Sequence, residues 1–229
     1  GKNTYPWLMT ANWADKIILQ ETAFAGWDVS EKKMSQAVAL QGVLPQEHYE
    51  PGMAMLDTMD VRKPPAATTG YAEQIRILSQ DIDDFIKRHP RQQPVFVNLL
   101  PACAVINLEK YSAMTDLFRE LTPADFPDLA YVLAAMACGV PVVNFTSNAV
   151  ECSLVVREAF QAGVPLCGRD GKTGQTYLKV VIASALKARN LLVDGWYSLN
   201  ILGNEDGRNL SNPQKASGKL ANKTDFLDT

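Results

Sequence analysis

The chain has 229 residues, 47% of them hydrophobic and 21% charged, with a formal net charge of −3. That balance supplies no basic stripe for nucleic acid. No apolar run reaches the length of a membrane span, and the opening GKNTYPWLMTANW lacks the charged-then-apolar layout of a signal peptide.

The first recognisable element is the apolar run in DKIILQETAFAGWDV, which reads as a strand ending at Gly26-Trp27-Asp28. Ser30 opens a helix, SEKKMSQAVALQGVL, and the prolines and glycines of 51–70 read mostly as loop. Residues 71–88 give the clearest helix: Ile75, Leu78, Ile82, Phe85 and Ile86 fall at steps of three and four with charges opposite. His89-Pro90 stops it, and PVFVNLL (94–100) follows as a continuous apolar run, the pattern of a strand buried on both faces.

Two segments then nearly repeat. FPDLAYVLAAMACGVPVVNF and LVVREAFQAGVPLCGR each read as helix, terminal glycine (Gly139, Gly163) and a strand opened by Val-Pro. This is the αβ half of a doubly wound parallel sheet. After a glycine-rich loop, residues 176–190 are helical, with Leu178, Val181, Ile182, Ala185 and Leu186 on one face. LLVDGWYSLNIL (191–202) reads as a longer strand, GNEDGRNLSNP as a turn-rich loop, and the polar end carries Lys219 and Lys223 four residues apart. The fold class is therefore α/β.

Chemistry-bearing residues are sparse. Two histidines, His48 and His89, supply neither a histidine-based metal site nor a Ser-His-Asp triad well, and no metal is expected. Cys103, Cys138, Cys152 and Cys167 form no C-x-x-C pair and read as buried reduced thiols, consistent with a cytoplasmic protein. The loop CGRDGKTGQT (167–176) ends like a P-loop at Gly171-Lys172-Thr173, but Leu166 stands where the opening glycine belongs. Spacing leaves two readings open: an anion site at a strand-to-helix turn, or a glycine turn with a surface lysine.

The order of motifs is more specific. CGVPVVNFTSN, AGVPLCGRDGKTGQTYLK, RNLLVDGWYSLNILGNEDGRNL and the later lysine pair resemble the myo-inositol-1-phosphate synthase family, in particular its bacterial and archaeal branch. AGWDVS (25–30) is similar to the stretch that ends an early strand of that family's NAD domain. The resemblance runs from about residue 15 to the end and is strongest between 127 and 210. It implies conversion of glucose 6-phosphate to 1D-myo-inositol 3-phosphate for inositol and phospholipid biosynthesis. NAD is the cofactor, and a homotetramer without nucleic-acid or membrane partners is implied.

By position, the resemblance implies cofactor contacts from Asp28, Asn144, Thr146, Asp170, Thr173, Asn204 and Asp206. Asp28 as a helix-capping turn residue, and the others as residues satisfying their own turns, are the plain alternatives. Phe145, Arg169 and Glu205 depart from the eukaryotic branch. Lys219 is assigned to the C5 oxygen and enolate, Lys223 to substrate phosphate, and Lys172 adds charge beside the loop; lysines on a polar helix are ordinarily solvated. The implied organisation is a partial NAD-binding Rossmann-like domain over 1–145, without its first glycine-rich βα unit, then the start of a catalytic and tetramerisation domain over 146–229. A shortened, non-catalytic homologue serving as a binding or assembly subunit is the alternative.

Overall fold

The computed structural model describes residues 22–42, 44–168, 170–171, 174–197 and 211–213. Two compact units divide the chain, the first within Gly1–Leu40 and Leu44–Pro64, the second within Gln41–Val43 and Pro65–Thr229.

In the first unit, strand β1 (Ala25–Trp27) pairs in parallel with β2 (Asp60–Arg62), and Asp28 N extends the ladder to Arg62 O at 3.0 Å. Between them lie helix α1 (Met34–Gln41) and two single-turn helices, α2 (Gln46–Tyr49) and α3 (Met53–Leu56). Asp57 ties the connection down by accepting Ser35 N and Ser35 Oγ, both at 2.9 Å. The expected loop over 51–70 is thus partly ordered. Asp60-Val61-Arg62 is too short to announce itself by its alternation, and its pairing with β1 makes it a strand.

The second unit begins as the sequence periodicity requires. Helix α4 (Tyr71–Arg88) matches the expected 71–88 and buries Tyr71, Leu78 and Ile82. It packs on α6 (Asp128–Ala137), which follows the short α5 (Met114–Glu120) and is buried along most of its length. Strands β3 (Phe96–Asn98), β4 (Val142–Asn144) and β5 (Leu166–Cys167) form a parallel sheet in that order. Helix α7 (Ser153–Ala162) makes the β4-to-β5 crossover, and α8 (Gly174–Ala188) follows β5.

Both repeated segments fold alike, because each helix is ended by the same glycine device. Gly139 and Gly163 adopt φ of 70° and 66°, left-handed values that cost a side chain free energy. The next residue closes each turn, Val140 N on Ala135 O and Val164 N on Ala159 O, both at 2.9 Å. Pro141 and Pro165 then open the strands and lend their carbonyls to Phe96 N and Val142 N, each at 2.9 Å. Proline is tolerated there because only its acceptor is needed.

Four expectations change. β3 is shorter than 94–100 and not buried on both faces: Asn98 faces inward, while Val95, Val97 and Leu99 are exposed. Residues 191–197 form no strand, and Leu191 and Leu192 are exposed. On α8 the apolar Leu178, Val181 and Ile182 are exposed, whereas Lys179 is buried. Periodicity specifies a face but not which face finds cover. Among the described residues no helix is long and apolar enough to cross a membrane. Cys167 is exposed, contrary to expectation, because it ends a two-residue strand at the rim; Cys152 is buried, and none of the four cysteines is in a disulfide.

Candidate functional site

Parallel pairing puts the carboxyl ends of β3, β4 and β5 on one edge, and ligands of open α/β sheets bind outside such an edge. Here the edge is made by the loops 99–103 and 145–151 and by Gly168, Asp170 and Gly171. At its base, Asn98 and Asn144 face each other in register, both about 1% exposed. A buried amide must spend its donors and acceptor within the protein, and these two do so completely enough to organise everything around them.

Asn98 Nδ2 donates to Asp128 Oδ1 at 2.7 Å and to Asn144 Oδ1 at 3.1 Å. Asn144 Nδ2 donates to Asn148 O at 2.8 Å and to Glu151 Oε1 at 2.7 Å. Asn144 Oδ1 also accepts Thr146 N (3.3 Å) and Thr146 Oγ1 (3.1 Å), and Thr146 Oγ1 in turn accepts Asn148 N at 3.0 Å. The Asn148 side chain reaches the other loop: its Nδ2 donates to Pro101 O at 3.0 Å and its Oδ1 accepts Cys103 N at 3.0 Å.

Asp128 sits under this network as the first residue of α6, with no exposed surface. Its oxygens receive Asn148 Nδ2 at 3.0 and 3.1 Å as well as Asn98 Nδ2. Burial raises its carboxyl above the usual carboxylate range, and the amide donors from Asn98 and Asn148 pull in the opposite direction. The α6 N-terminus, with its free N–H groups, also favours the anion.

The glycine loop has a structural cause for two of its glycines. A Cβ on Gly168 would lie 2.2 Å from Glu151 Oε1, 2.7 Å from Asn144 Cβ and 2.9 Å from Asn144 O. One on Gly171 would lie 2.2 Å from Cε1 and Cζ of Phe145. Gly171 N donates to Phe145 O at 3.2 Å, and Phe145 N to Asn98 O at 3.1 Å, so the three strand ends are laced together. The close approach is to the neighbouring strand end, and the half-exposed Phe145 ring lies against Gly171 where a side chain would stand.

Of the residues singled out from sequence, Asn144 and Thr146 lie in the buried cluster, and Asp170 is partly exposed on the same edge, between Gly168 and Gly171. Asp28 lies in the first unit, where its Oδ1 accepts Ser30 N at 2.9 Å. Lys172, Thr173, Asn204, Asp206, Lys219 and Lys223 fall outside the described residues. Sequence reasoning missed Asn98, Asp128, Asn148 and Glu151. A signal was there: VFVN and PVVN are two apolar runs that each end in asparagine. It also missed Lys179, buried on α8 with its Nζ 5.7 Å from the centroid of the Trp196 ring. Among the described residues no group of three or more His, Cys, Asp or Glu side chains is placed to hold a metal ion.

These features define a parallel α/β protein whose strand ends are locked by an amide–carboxylate cluster. The architecture matches the crystal structure of inositol-3-phosphate synthase from Caenorhabditis elegans with a TM-score of 0.75, over 89% of this chain and 44% of that one, at 18% identity. In sequence the chain is 28% identical over 234 residues to inositol-3-phosphate synthase 1 of Bacteroides thetaiotaomicron, covering 92% of this chain and 54% of that protein. It is also 28% identical over 235 residues to the inositol-3-phosphate synthase of Spirodela polyrhiza, covering 91% and 45%. The family described as Myo-inositol-1-phosphate synthase matches residues 174–229. The resemblance read from the motifs holds: this chain is similar in sequence to inositol-3-phosphate synthases and shares the fold of one. It spans about half the length of the curated relatives it matches.

Proposed function

We propose that this chain forms part of an NAD-dependent synthase that converts glucose 6-phosphate to 1D-myo-inositol 3-phosphate, acting as a cytoplasmic homotetramer in inositol and phospholipid biosynthesis. The observation that carries the reading is the strand-end edge, shared in fold with a synthase, where the 168–171 loop backs onto Asn144, Phe145 and Thr146.

The residues at this edge fit a dinucleotide. Asp170 is a partly exposed acid suited to sugar hydroxyls. The start of α8 at Gly174 offers backbone N–H groups and a positive dipole end to a phosphate. Asn144 has committed its amide to the protein, so its part is to hold the 145–148 loop in place, with Thr146 fixed alongside it. Asp28, Thr173, Asn204 and Asp206 complete the proposed cofactor contacts.

Bound NAD⁺ would supply a hydride acceptor for C5 and, once reduced, the hydride that restores it. The chain's own groups manage charge and protons. Lys219 stabilises the negative charge that develops on the C5 oxygen and on the enolate formed by proton loss at C6. Lys223 pairs with the substrate phosphate, and Lys172 adds positive charge beside the glycine loop. The enolate attacks the C1 aldehyde to close the ring, and no net redox change results.

Incubating the protein with glucose 6-phosphate and NAD⁺ tests this, with phosphorus NMR for product and near-ultraviolet absorbance for NADH. An inositol monophosphate should appear without steady accumulation of NADH. Firmly held NAD⁺ with no such product would overturn the reading.

A further inference from the structure

Asp128 is an expensive residue to keep where it is. A carboxylate removed from water loses its hydration, and burial without strong partners disfavours the charged form by several kcal/mol on a rough scale. Nothing in the proposed chemistry uses it. What it does in the structure is set the direction of two other side chains.

An asparagine amide can present its oxygen or its nitrogen to a neighbour, and the two orientations differ only in hydrogen bonding. Both carboxyl oxygens of Asp128 act as acceptors here, facing the amide nitrogens of Asn98 and Asn148. Asp128 therefore forces Nδ2 of both Asn98 and Asn148 toward itself, at 2.7 Å for Asn98 and at 3.0 and 3.1 Å for Asn148. The two carbonyl oxygens then point to the loop after β3. Asn98 Oδ1 accepts Leu100 N at 3.3 Å, and Asn148 Oδ1 accepts Cys103 N at 3.0 Å. Asn148 is also bound through its backbone to the loop after β4, by Thr146 Oγ1 and Asn144 Nδ2. One carboxylate thus fixes two amides, and the two amides fix the loops of adjacent strands against each other.

We infer that Asp128 is a positioning residue for the cofactor edge: by orienting the Asn98 and Asn148 amides it holds the 99–103 and 145–148 loops in the geometry that receives the dinucleotide. The ligand half of this inference rests on the reading of the edge given above. The loop half does not.

The experiment pairs residue-resolved amide hydrogen exchange with NAD⁺ titration calorimetry on the parent, Asp128→Asn and Asn148→Ala. In Asp128→Asn the carboxamide no longer dictates both neighbours, so the Leu100 and Cys103 amides should both exchange about tenfold faster, the equivalent of one ordinary hydrogen bond. Amides in the core of α6, such as Val132, should keep their protection. Asn148→Ala should release Cys103 and leave Leu100 protected, because Asn98 still holds it. Affinity for NAD⁺ should fall roughly tenfold in Asp128→Asn.

Unchanged exchange at Leu100 and Cys103 in Asp128→Asn would overturn the inference. So would faster exchange with unaltered NAD⁺ affinity. A parent protein that holds no NAD⁺ defeats the reading of the edge as a cofactor site, and the exchange pattern then decides the positioning role by itself. Exchange in the native state needs only that the variants fold, and the near-isosteric Asp128→Asn makes the smallest change that serves.

Discussion

Gly168→Ala puts the packing of the strand-end edge to a direct test. The added methyl would sit 2.9 Å from Asn144 O and 2.7 Å from Asn144 Cβ. Neither atom can retreat, because Asn144 is paired to β3 and its side chain is bonded on both sides. The third contact, Glu151 Oε1 at 2.2 Å, can move only by giving up the hydrogen bond from Asn144 Nδ2. Overpacking of this kind costs about 1–3 kcal/mol, and a lost hydrogen bond adds about 0.5–1.5 kcal/mol. The sum is roughly 3 kcal/mol. With a urea slope of about 2 kcal/mol/M, the unfolding midpoint should drop by roughly 1.5 M at unchanged slope. Gly26→Ala serves as the control: no heavy atom lies within 4 Å of its Cβ position and its φ is not left-handed, so alanine should be neutral or slightly stabilising. A Gly168→Ala protein within about 0.5 kcal/mol of the parent would refute the argument that close approach to β4 requires this glycine.

Other outcomes follow from the same edge. In Gly171→Ala the three nearest atoms to the added methyl all belong to the half-exposed Phe145 ring, which can swing outward, so the cost should be about 1 kcal/mol or less and should fall in the Phe145→Ala background; a double-mutant cycle by urea unfolding reads this coupling. Burial raises the Asp128 carboxyl, so the folded state holds a proton that the unfolded chain releases near its ordinary value of 3.8. That contribution to stability is complete below 3.8 and is lost as pH rises through the folded value. The stability deficit of Asp128→Asn relative to the parent should therefore shrink as pH rises above 3.8, and a deficit that widens would contradict the burial argument. Lys219→Ala should abolish formation of inositol phosphate while NAD⁺ retention stays close to that of the parent; turnover that survives removes the lysine from the mechanism.

Local signals carried the parts of the fold that depend on neighbours in sequence. The three-and-four spacing from Ile75 to Ile86 set α4, and the two Gly-Val-Pro junctions at 139–141 and 163–165 marked where helices stop and parallel strands begin. What pairing at a distance creates was not legible in the same way. Asp60-Val61-Arg62 becomes β2 only beside β1, and the final apolar run stays irregular through residue 197. The site divides along the same line. Asn144 and Thr146 were reached through the order of motifs, which places a loop after a strand. Asn98, Asp128 and Asn148 look in sequence like a strand end, a helix start and a turn. Only the register of β3 against β4 brings the first opposite Asn144, and only the docking of α6 puts a carboxylate beneath both.

The facing pair Asn98 and Asn144 also bears on how the chain finds this fold. A slip of one position along a strand turns each of its side chains to the opposite face of the sheet. A shift of a single position would bring Val97 or Leu99 opposite Asn144 and strand a buried amide, at a cost of about 1–3 kcal/mol. The asparagines thus act as an end-stop for assembly of the sheet, proofreading strand alignment at the rim where the loops must later meet.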